Sequence, residues 1–134
     1  MKLSAGKALH GWVLDERNAY RQVGILPEHR KYSVVAFRHF GSGKIVHFIM
    51  IGHSFGLVAA VYNYNRRSAL LDEILRNVFG LVSCHFYDDK YGFEPSESID
   101  SAMLVARSLH TWLAAQFDAM KLQQGPVVDI LGHL

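Results

Sequence analysis

The spacing of hydrophobic residues changes several times along the chain, and each change predicts a boundary between secondary-structure elements. Short apolar runs rich in β-branched and aromatic residues predict strands, whereas hydrophobic positions that recur every three or four residues predict helices. The predicted strands comprise residues 12–14, 33–37, 44–51, 81–87, 90–94 and 127–131. Because only a short glycine-containing segment separates the second strand from the third, these two are expected to form a hairpin.

Two segments have the period of a helix. In the first, the hydrophobic positions are Leu57, Ala60, Val61, Tyr64, Leu71, Ile74, Leu75 and Val78, and Gly80 follows as a stop signal. In the second, Ser96 is the expected N-cap, and hydrophobic positions recur as far as Met120. The chain is therefore expected to form one helix that ends before Gly80 and another over residues 96–122.

The order of these elements predicts the fold class. With the hairpin at residues 33–51 treated as an insertion, the remaining order is βαββαβ. Such a split unit is an α+β fold with an antiparallel sheet and two helices on one face. No internal repeat or proline-rich linker interrupts the sequence, so residues 1–134 are expected to form a single domain.

Composition narrows the class of protein. The chain has 134 residues, half of them hydrophobic and 19% charged, as expected of a globular domain. The net charge is only +2, with basic residues concentrated in residues 17–38 and 63–76. No apolar stretch approaches the ~20 residues of a membrane span, and no secretory signal precedes the first strand. These features predict a soluble intracellular protein of the cytoplasm or nucleus, without a membrane partner, in which Cys84 is a buried thiol.

Acidic residues stand at the ends of two predicted strands. Asp15 ends the first strand, and Asp88 and Asp89 form the tip of the second hairpin. Clustered carboxylates repel one another unless a cation neutralises them, and oxygen ligands suit Mg²⁺. Two such ions ~4 Å apart support phosphoryl displacement. The alternative is that these acids bind no ligand and are ordinary polar residues of turns.

The residues around Asp15 and Phe55 resemble the first two motifs of reverse transcriptases. The segment Asp15-Glu-Arg-Asn-Ala-Tyr20 is similar to the first catalytic motif, an Asp followed by Ala and an aromatic residue, within residues 11–32. Residues 33–51 are similar to a fingers hairpin. Phe55-Gly56-Leu57 then resembles the loop that opens the second motif, within residues 52–80, although the proline usual after its alanine is absent.

Three further motifs follow in the order that the family has. Phe86-Tyr87-Asp88-Asp89, within residues 81–94, resembles the aromatic-x-Asp-Asp hairpin, with Lys90 where an apolar residue is expected. The helix at residues 96–122 is similar to the fourth motif, which ends in a lysine, here Lys121. Residues 127–134 contain a Leu-Gly pair like that of the fifth motif. The resemblance covers nearly the whole chain and is closest to retrotransposon-type enzymes.

The resemblance implies a role for each matching residue. Asp15 and Asp88 would bind two Mg²⁺ ions, or Mn²⁺, and Asp89 would complete the catalytic acids. Tyr20 would be a steric gate against the ribose 2′-hydroxyl. The expected nucleotide-binding residues are Tyr20, Phe55, Gly56, Tyr87 and Lys121. Lys121 would neutralise or protonate the leaving pyrophosphate.

The resemblance also implies an activity and its partners. The fold would be the palm of an RNA-directed DNA polymerase from a retroelement, and the ligands would be template-primer nucleic acid and deoxynucleoside triphosphates. Further domains of a larger polyprotein are expected partners. Because 134 residues cannot include complete fingers and a thumb, the palm fragment is expected to be inactive alone.

Two other functions are compatible with the sequence. Gly52-His-Ser54-Phe-Gly56 matches the G-x-S-x-G elbow of α/β-hydrolases, for which Asp88 and His133 would complete the triad order. Alternatively, the basic residues from Arg17 to Arg38, interleaved with aromatic residues, would bind nucleic acid through phosphates and stacking without any chemistry.

Overall fold

A computed structural model describes residues 7–130 of the chain, and its elements follow the order predicted from the sequence. The strands are β1 (Leu9–Asp15), β2 (Val34–Arg38), β3 (Ile45–Ile49), β4 (Val82–Phe86), β5 (Asp89–Pro95) and β6 (Gln123–Gly125). The helices are α1 (Val58–Asn77) and α2 (Ile99–Trp112), with 3-10 turns at Ala19–Gln22, Pro27–Tyr32 and Ala119–Lys121. The predicted α+β class is confirmed.

Four of the strands form one antiparallel sheet in the order β4-β5-β1-β6. Strands β1 and β5, which are far apart in the chain, are therefore neighbours at the centre of the sheet. This is the strand order of a split βαββαβ unit. In the β1–β5 ladder Leu14 is opposite Lys90, and Asp15 is opposite Asp89. This register places the acids of two distant segments at the same end of the sheet.

Both helices pack on one face of this sheet, as the sequence predicts. Trp12 and Leu14 alternate with Val13 along β1 and point to the helix side, where neither has any exposed surface. Their core neighbours are Leu71 and Leu75 of α1 and Ile99, Met103, Ala106 and Leu109 of α2. The opposite face of the sheet includes Asp15, because neighbouring strand residues point to opposite sides.

The chain divides into two compact units, one formed by residues up to Arg17 and from Asn65 onwards and the other by residues Asn18–Tyr64. In the second unit β2 pairs antiparallel with β3, as predicted. Its hydrophobic core consists of the buried residues Ala19, Tyr20, Ala60 and Tyr64. The segment inserted into the βαββαβ order is therefore larger than the hairpin predicted at residues 33–51.

Helix α2 ends at Trp112, so the prediction of a helix reaching Lys121 is wrong. Ala114 adopts a left-handed φ of 59°, and its N–H donates to Thr111 at 3.0 Å while that of Ala115 donates to His110 at 2.8 Å. These two bonds form a Schellman motif, which terminates helices even when hydrophobic positions continue. The chain resumes helical geometry only in the 3-10 turn at Ala119–Lys121.

The last strand is also displaced from its predicted position. Residues Gln123–Gly125 pair with β1, whereas residues 126–129, within the predicted strand at 127–131, form bends and coil. Gly125 has a φ of 145° and Pro126 has no N–H to continue a ladder, so pairing stops there. The Leu-Gly pair of the fifth motif lies outside the described residues.

Two smaller predictions on β4 and its turn are wrong as well. The turn of the second hairpin comprises Tyr87 and Asp88 rather than Asp88 and Asp89, because Phe86 pairs with Asp89 and Tyr87 takes a left-handed φ of 52°. Cys84, expected to be buried, is exposed. It lies on the face of β4 that the helices do not cover, since its neighbour Ser83 is the buried residue.

Candidate functional site

Asp15 and Asp89 form the centre of the candidate site. They are direct partners in the β1–β5 ladder, so their side chains lie side by side on the sheet face opposite the helices. Burial raises the pKa of Asp89, and the neighbouring charges of Asp88 and Asp15 raise it further. This pair therefore favours a cation or a proton between its oxygens.

Asp88 lies beside this pair at the tip of the hairpin. Its carbonyl oxygen accepts a hydrogen bond from the N–H of Glu16 at 3.1 Å, which fixes the tip against the end of β1. All three acids predicted from the sequence thus lie at one end of the sheet. The acid directly opposite Asp15, however, is Asp89 rather than Asp88.

Lys121 also reaches the site, although no helix carries it there. Its Nζ donates to Asp15 Oδ2 at 3.0 Å, and this hydrogen bond raises the pKa of Lys121. The short turn before it is held by Asp118, whose side chain accepts from the N–H of Met120 at 3.1 Å and whose own N–H donates to the carbonyl of Asp15 at 3.0 Å. Lys121 therefore lies in the chain segment that leads into β6 and reaches Asp15 from there.

A cleft of about 390 Å³ opens at these residues. Its lining comprises Val13, Asp15, Asp89, Met120, Lys121, Gln123 and Asp129. The sequence did not indicate Gln123 or Asp129 as site residues. Asp129 lies in the segment predicted to be a strand, and Gln123 lies just after the predicted helix. The N–H of Asp129 donates to the side-chain oxygen of Gln123 at 2.9 Å, and one carboxylate oxygen of Asp129 is buried without a hydrogen-bond partner among the described residues.

The donor set of this cleft consists of carboxylate oxygens, which are the ligands that Mg²⁺ and Mn²⁺ prefer. Asp15 is 15% exposed, so it is accessible from the cleft. Within residues 7–130, no group of three or more His, Cys, Asp or Glu side chains is gathered closely enough to hold a metal ion by itself. Mg²⁺ sites usually take several of their ligands from water or substrate.

Behind the acids, on the helix side of the sheet, two ion pairs connect the buried residues Glu16 and Lys90 to α1; Arg67, the partner of Glu16, is 23% exposed. Glu16, 2% exposed, accepts from Arg67 at 3.0 Å. Lys90, also 2% exposed, donates to Asp72 Oδ1 at 2.6 Å and to the carbonyl of Ser68 at 3.2 Å. Burying the Lys90 ammonium group is costly, and the Asp72 carboxylate offsets that cost as its charged partner.

Asp72 is the centre of this buried cluster. Besides Lys90, it accepts a hydrogen bond from the hydroxyl of Ser83 at 2.5 Å and pairs with Nδ1 of His85. Burial acts to raise the pKa of Asp72, but the charge of Lys90 and the three hydrogen bonds outweigh it and hold the pKa below its usual value. Asp72 is therefore a carboxylate in the folded protein at neutral pH.

The other predicted nucleotide-binding residues divide between the two units. Tyr87 belongs to the first unit, in the turn beside Asp88, where it is 41% exposed and packs edge-on against Phe86 at 4.8 Å. Tyr20, Phe55 and Gly56 belong to the second unit. Tyr20 is 8% exposed and packs edge-on against Phe55 at 5.1 Å and Tyr64 at 5.0 Å, and Gly56 has a φ of 85°. Their roles toward a nucleotide remain predictions.

The hydrolase alternative is not favoured by the backbone around Ser54. A nucleophile elbow requires a strained turn with its serine at positive φ. Among the described residues the non-glycine positions with positive φ are Asn18, Ala19, Tyr87 and Ala114, and Ser54 is not one of them. The preceding strand, β3, pairs with β2 in an antiparallel hairpin instead of belonging to a parallel sheet. His133, the expected triad base, lies outside the described residues.

No protein-family model matches the sequence, and no curated protein matches it either. Among residues 7–130 no helix combines the length and the hydrophobicity needed to cross a lipid bilayer.

Proposed function

We propose that this chain carries the palm-type nucleotidyl-transfer centre of a reverse-transcriptase-like polymerase of a retroelement. The observation that supports it best is the register of β1 and β5, which aligns Asp15 with Asp89 and brings Asp88 and Lys121 to the same end of the sheet. Acids from separate strands that meet beside a lysine suit a reaction in which phosphate charge must be neutralised. The ancestral ligands would be template-primer nucleic acid and deoxynucleoside triphosphates.

Each group has a distinct part in this reaction. Asp15 and Asp88 would hold Mg²⁺, with Asp89 beside them, and the bound metal would supply charge neutralisation for the phosphates. Lys121 would move from Asp15 to the leaving pyrophosphate, where its ammonium group neutralises charge or donates a proton. In the second unit, Tyr20 would exclude a ribose 2′-hydroxyl. Full activity would also require fingers and thumb segments that hold the nucleotide and the duplex.

A Mn²⁺ titration followed by electron paramagnetic resonance tests the centre without requiring polymerisation. We expect Asp15→Asn and Asp88→Asn each to weaken Mn²⁺ binding by about tenfold or more, because each removes one of the two proposed carboxylate ligands. Asp89→Asn should weaken it too, because it removes the negative charge beside them. Glu28→Gln, which neutralises an exposed acid of the second unit, is the control and should leave the affinity unchanged.

Primer extension with template-primer and deoxynucleoside triphosphates is the companion assay, in which the fragment alone is expected to show little or no product. A Mn²⁺ affinity that is the same in the parent, Asp15→Asn and Asp88→Asn would contradict the proposal. Mn²⁺ binding that is lost with the acids would support it even in the absence of extension.

A second candidate function, nucleic-acid binding without chemistry, is favoured by the charge of the second unit. Residues 18–64 carry five Lys or Arg side chains and a single acid, Glu28. Phe37 and Phe48 stack at 4.9 Å on one face of the hairpin and are 50% and 46% exposed. Exposed aromatic rings beside cationic side chains suit single-stranded nucleic acid.

Fluorescence anisotropy with a labelled single-stranded oligonucleotide distinguishes the two functions. If the chain only binds nucleic acid, Asp15→Asn will leave the affinity unchanged, whereas Arg38→Ala and Phe37→Ala will each weaken it. No binding of the oligonucleotide at low salt would exclude this second function.

A further inference from the structure

Each of the two opposed acids is followed in the chain by a charged residue that points to the other side of the sheet. Asp15 is followed by Glu16, and Asp89 is followed by Lys90. Glu16 and Lys90 are both 2% exposed, so both charges are removed from water. Burying two ionic groups directly behind two acids is costly unless each is closely paired.

Each buried charge is paired with the same helix. Arg67 of α1 donates to Glu16 at 3.0 Å, and Asp72 of α1 accepts from Lys90 at 2.6 Å. The two pairs have opposite polarity: the residue that follows β1, Glu16, is an anion, whereas Lys90 of β5 is a cation. Helix α1 therefore carries one partner for each of the central strands, five residues apart in its sequence.

We propose that Glu16 and Lys90 are positioning residues, and that their buried ion pairs with Arg67 and Asp72 of α1 hold the Asp15 and Asp89 carboxylates in register at the cleft. The inference rests on the proposed function only for the metal that would bind at Asp15 and Asp88, beside Asp89. Because an ion pair tolerates little change in distance or angle when it is buried, the two pairs fix the ends of β1 and β5 more narrowly than apolar contacts would.

The neighbouring hydrogen bonds extend this restraint to the hairpin. Ser83 and His85 of β4 both bond to Asp72, so the strand that leads into the Tyr87–Asp88 turn is tied to the same carboxylate as Lys90. At the tip, the N–H of Glu16 donates to the carbonyl of Asp88 at 3.1 Å. The amide proton of Glu16 therefore reports whether the end of β1 and the acid hairpin remain together.

The test replaces one buried pair by a neutral pair of similar size, Lys90→Met with Asp72→Asn. The asparagine retains an oxygen for Ser83 and an amide for His85, so the main loss is the ion pair. The matched control is Glu73→Gln with Arg76→Met, which removes an ion pair of the same helix whose side chains are 59% and 46% exposed. Hydrogen exchange by nuclear magnetic resonance measures the Glu16 amide relative to the Leu75 amide in the core of α1.

We expect the Lys90→Met, Asp72→Asn variant to speed exchange of the Glu16 amide about tenfold or more relative to that of Leu75, while the control changes the ratio by less than about twofold. Mn²⁺ affinity should fall in the same variant and not in the control. An unchanged ratio in the folded variant would overturn the proposal.

If that variant does not fold, Glu16→Gln provides the same readout, because it keeps an oxygen for Arg67 and removes only the charge. An increase of the exchange ratio again supports the proposal, and an unchanged ratio again overturns it. A parent chain that binds no Mn²⁺ would contradict the proposed function alone, since the exchange ratio is measured without metal.

Discussion

At the scale of single residues, the packing of Trp12 depends on the absence of a side chain at Gly92. A Cβ on Gly92 would lie 2.1 Å from the carbonyl oxygen of Val82 and 2.5 Å from the ring of Trp12. Trp12 has no exposed surface, so it has little room to move away. Glycine at this position of β5 therefore leaves the space that the ring of Trp12, the largest fully buried side chain, occupies.

We expect Gly92→Ala to lower the free energy of unfolding by about 3 kcal/mol, because overpacking of a rigid core forces strained rotamers and backbone shifts. The control is Gly41→Ala, where the nearest atom, on His39, would be 3.5 Å from the new Cβ. That change should stay within about 0.5 kcal/mol. Urea unfolding of the two variants measures the difference, and equal losses would contradict the explanation.

His110 makes the stability depend on pH. It is fully buried on α2, where Nδ1 bonds to the carbonyl of Ala106 at 2.7 Å and Nε2 has no hydrogen-bond partner among the described residues. Burial lowers the pKa of His110 from 6.5 to about 4. The unfolded chain therefore binds a proton at a pH where the folded chain does not.

As the pH falls from 6.5 to about 4, protonation of His110 in the unfolded chain lowers the stability of the folded state. Above pH 6.5 His110 is neutral in both states, so the stability that its neutral form permits is fully retained. The loss attributable to His110 is expected to be about 3 kcal/mol. Urea unfolding of the parent and of His110→Gln between these two pH values measures it. The variant should lose less stability than the parent, and parallel curves would show that His110 does not titrate as described.

At the scale of elements, the end of α2 determines where the last part of the chain runs. Ala114 occupies the left-handed position of the Schellman motif with a φ of 59°, a conformation in which a Cβ is unfavourable. The stop follows from hydrogen bonds and the packing of Ala115, which is 5% exposed. Without this stop, residues 115–121 would continue as helix and Lys121 would not lie beside Asp15.

We expect Ala114→Gly to raise the free energy of unfolding by about 1 kcal/mol, because glycine adopts the left-handed conformation without a Cβ penalty. The control, Ala69→Gly, is an exposed position inside α1 and should lose about 1 kcal/mol. Thermal unfolding followed by circular dichroism compares their melting temperatures. A lower melting temperature for Ala114→Gly would contradict this interpretation.

At the scale of the whole molecule, charge is distributed unevenly along the chain. Residues 18–64 have five basic and one acidic side chain, whereas the remaining residues have nine basic and eleven acidic ones. A basic segment attracts phosphates, and an acidic remainder with carboxylates in a cleft attracts cations. The proposed functions therefore assign nucleic-acid contact mainly to residues 18–64 and metal binding to the other unit.

This distribution limits the salt dependence of any binding to single-stranded nucleic acid. If the five basic side chains of residues 18–64 make the phosphate contacts, the logarithm of affinity should fall with the logarithm of salt with a slope no steeper than about −3.5. Arg38→Ala should reduce the slope by about 0.7, because one contact is lost. Anisotropy titrations at several salt concentrations measure both values, and a markedly steeper slope would place further contacts outside this segment.

The sequence by itself determined the order and type of the elements. The period of two in the strands and of about 3.6 in the helices was sufficient, because side chains must alternate or rotate to reach a common core. It also marked Asp15, Asp88, Asp89 and Lys121, whose residue types follow a known motif order. All four lie at one end of the sheet, whereas their chemical roles remain proposals.

Only the tertiary structure decided which acids face each other, where α2 stops, and how the buried charges are paired. Register depends on contacts between segments some seventy residues apart, such as Asp15 with Asp89, which no local pattern encodes. In the sequence, Asp72 is likewise an ordinary polar residue of a helix. Only the structure shows that Lys90, Ser83 and His85 surround it. Local patterns specify elements because their physics is local, whereas partners across the sheet are selected by the packing of the whole chain.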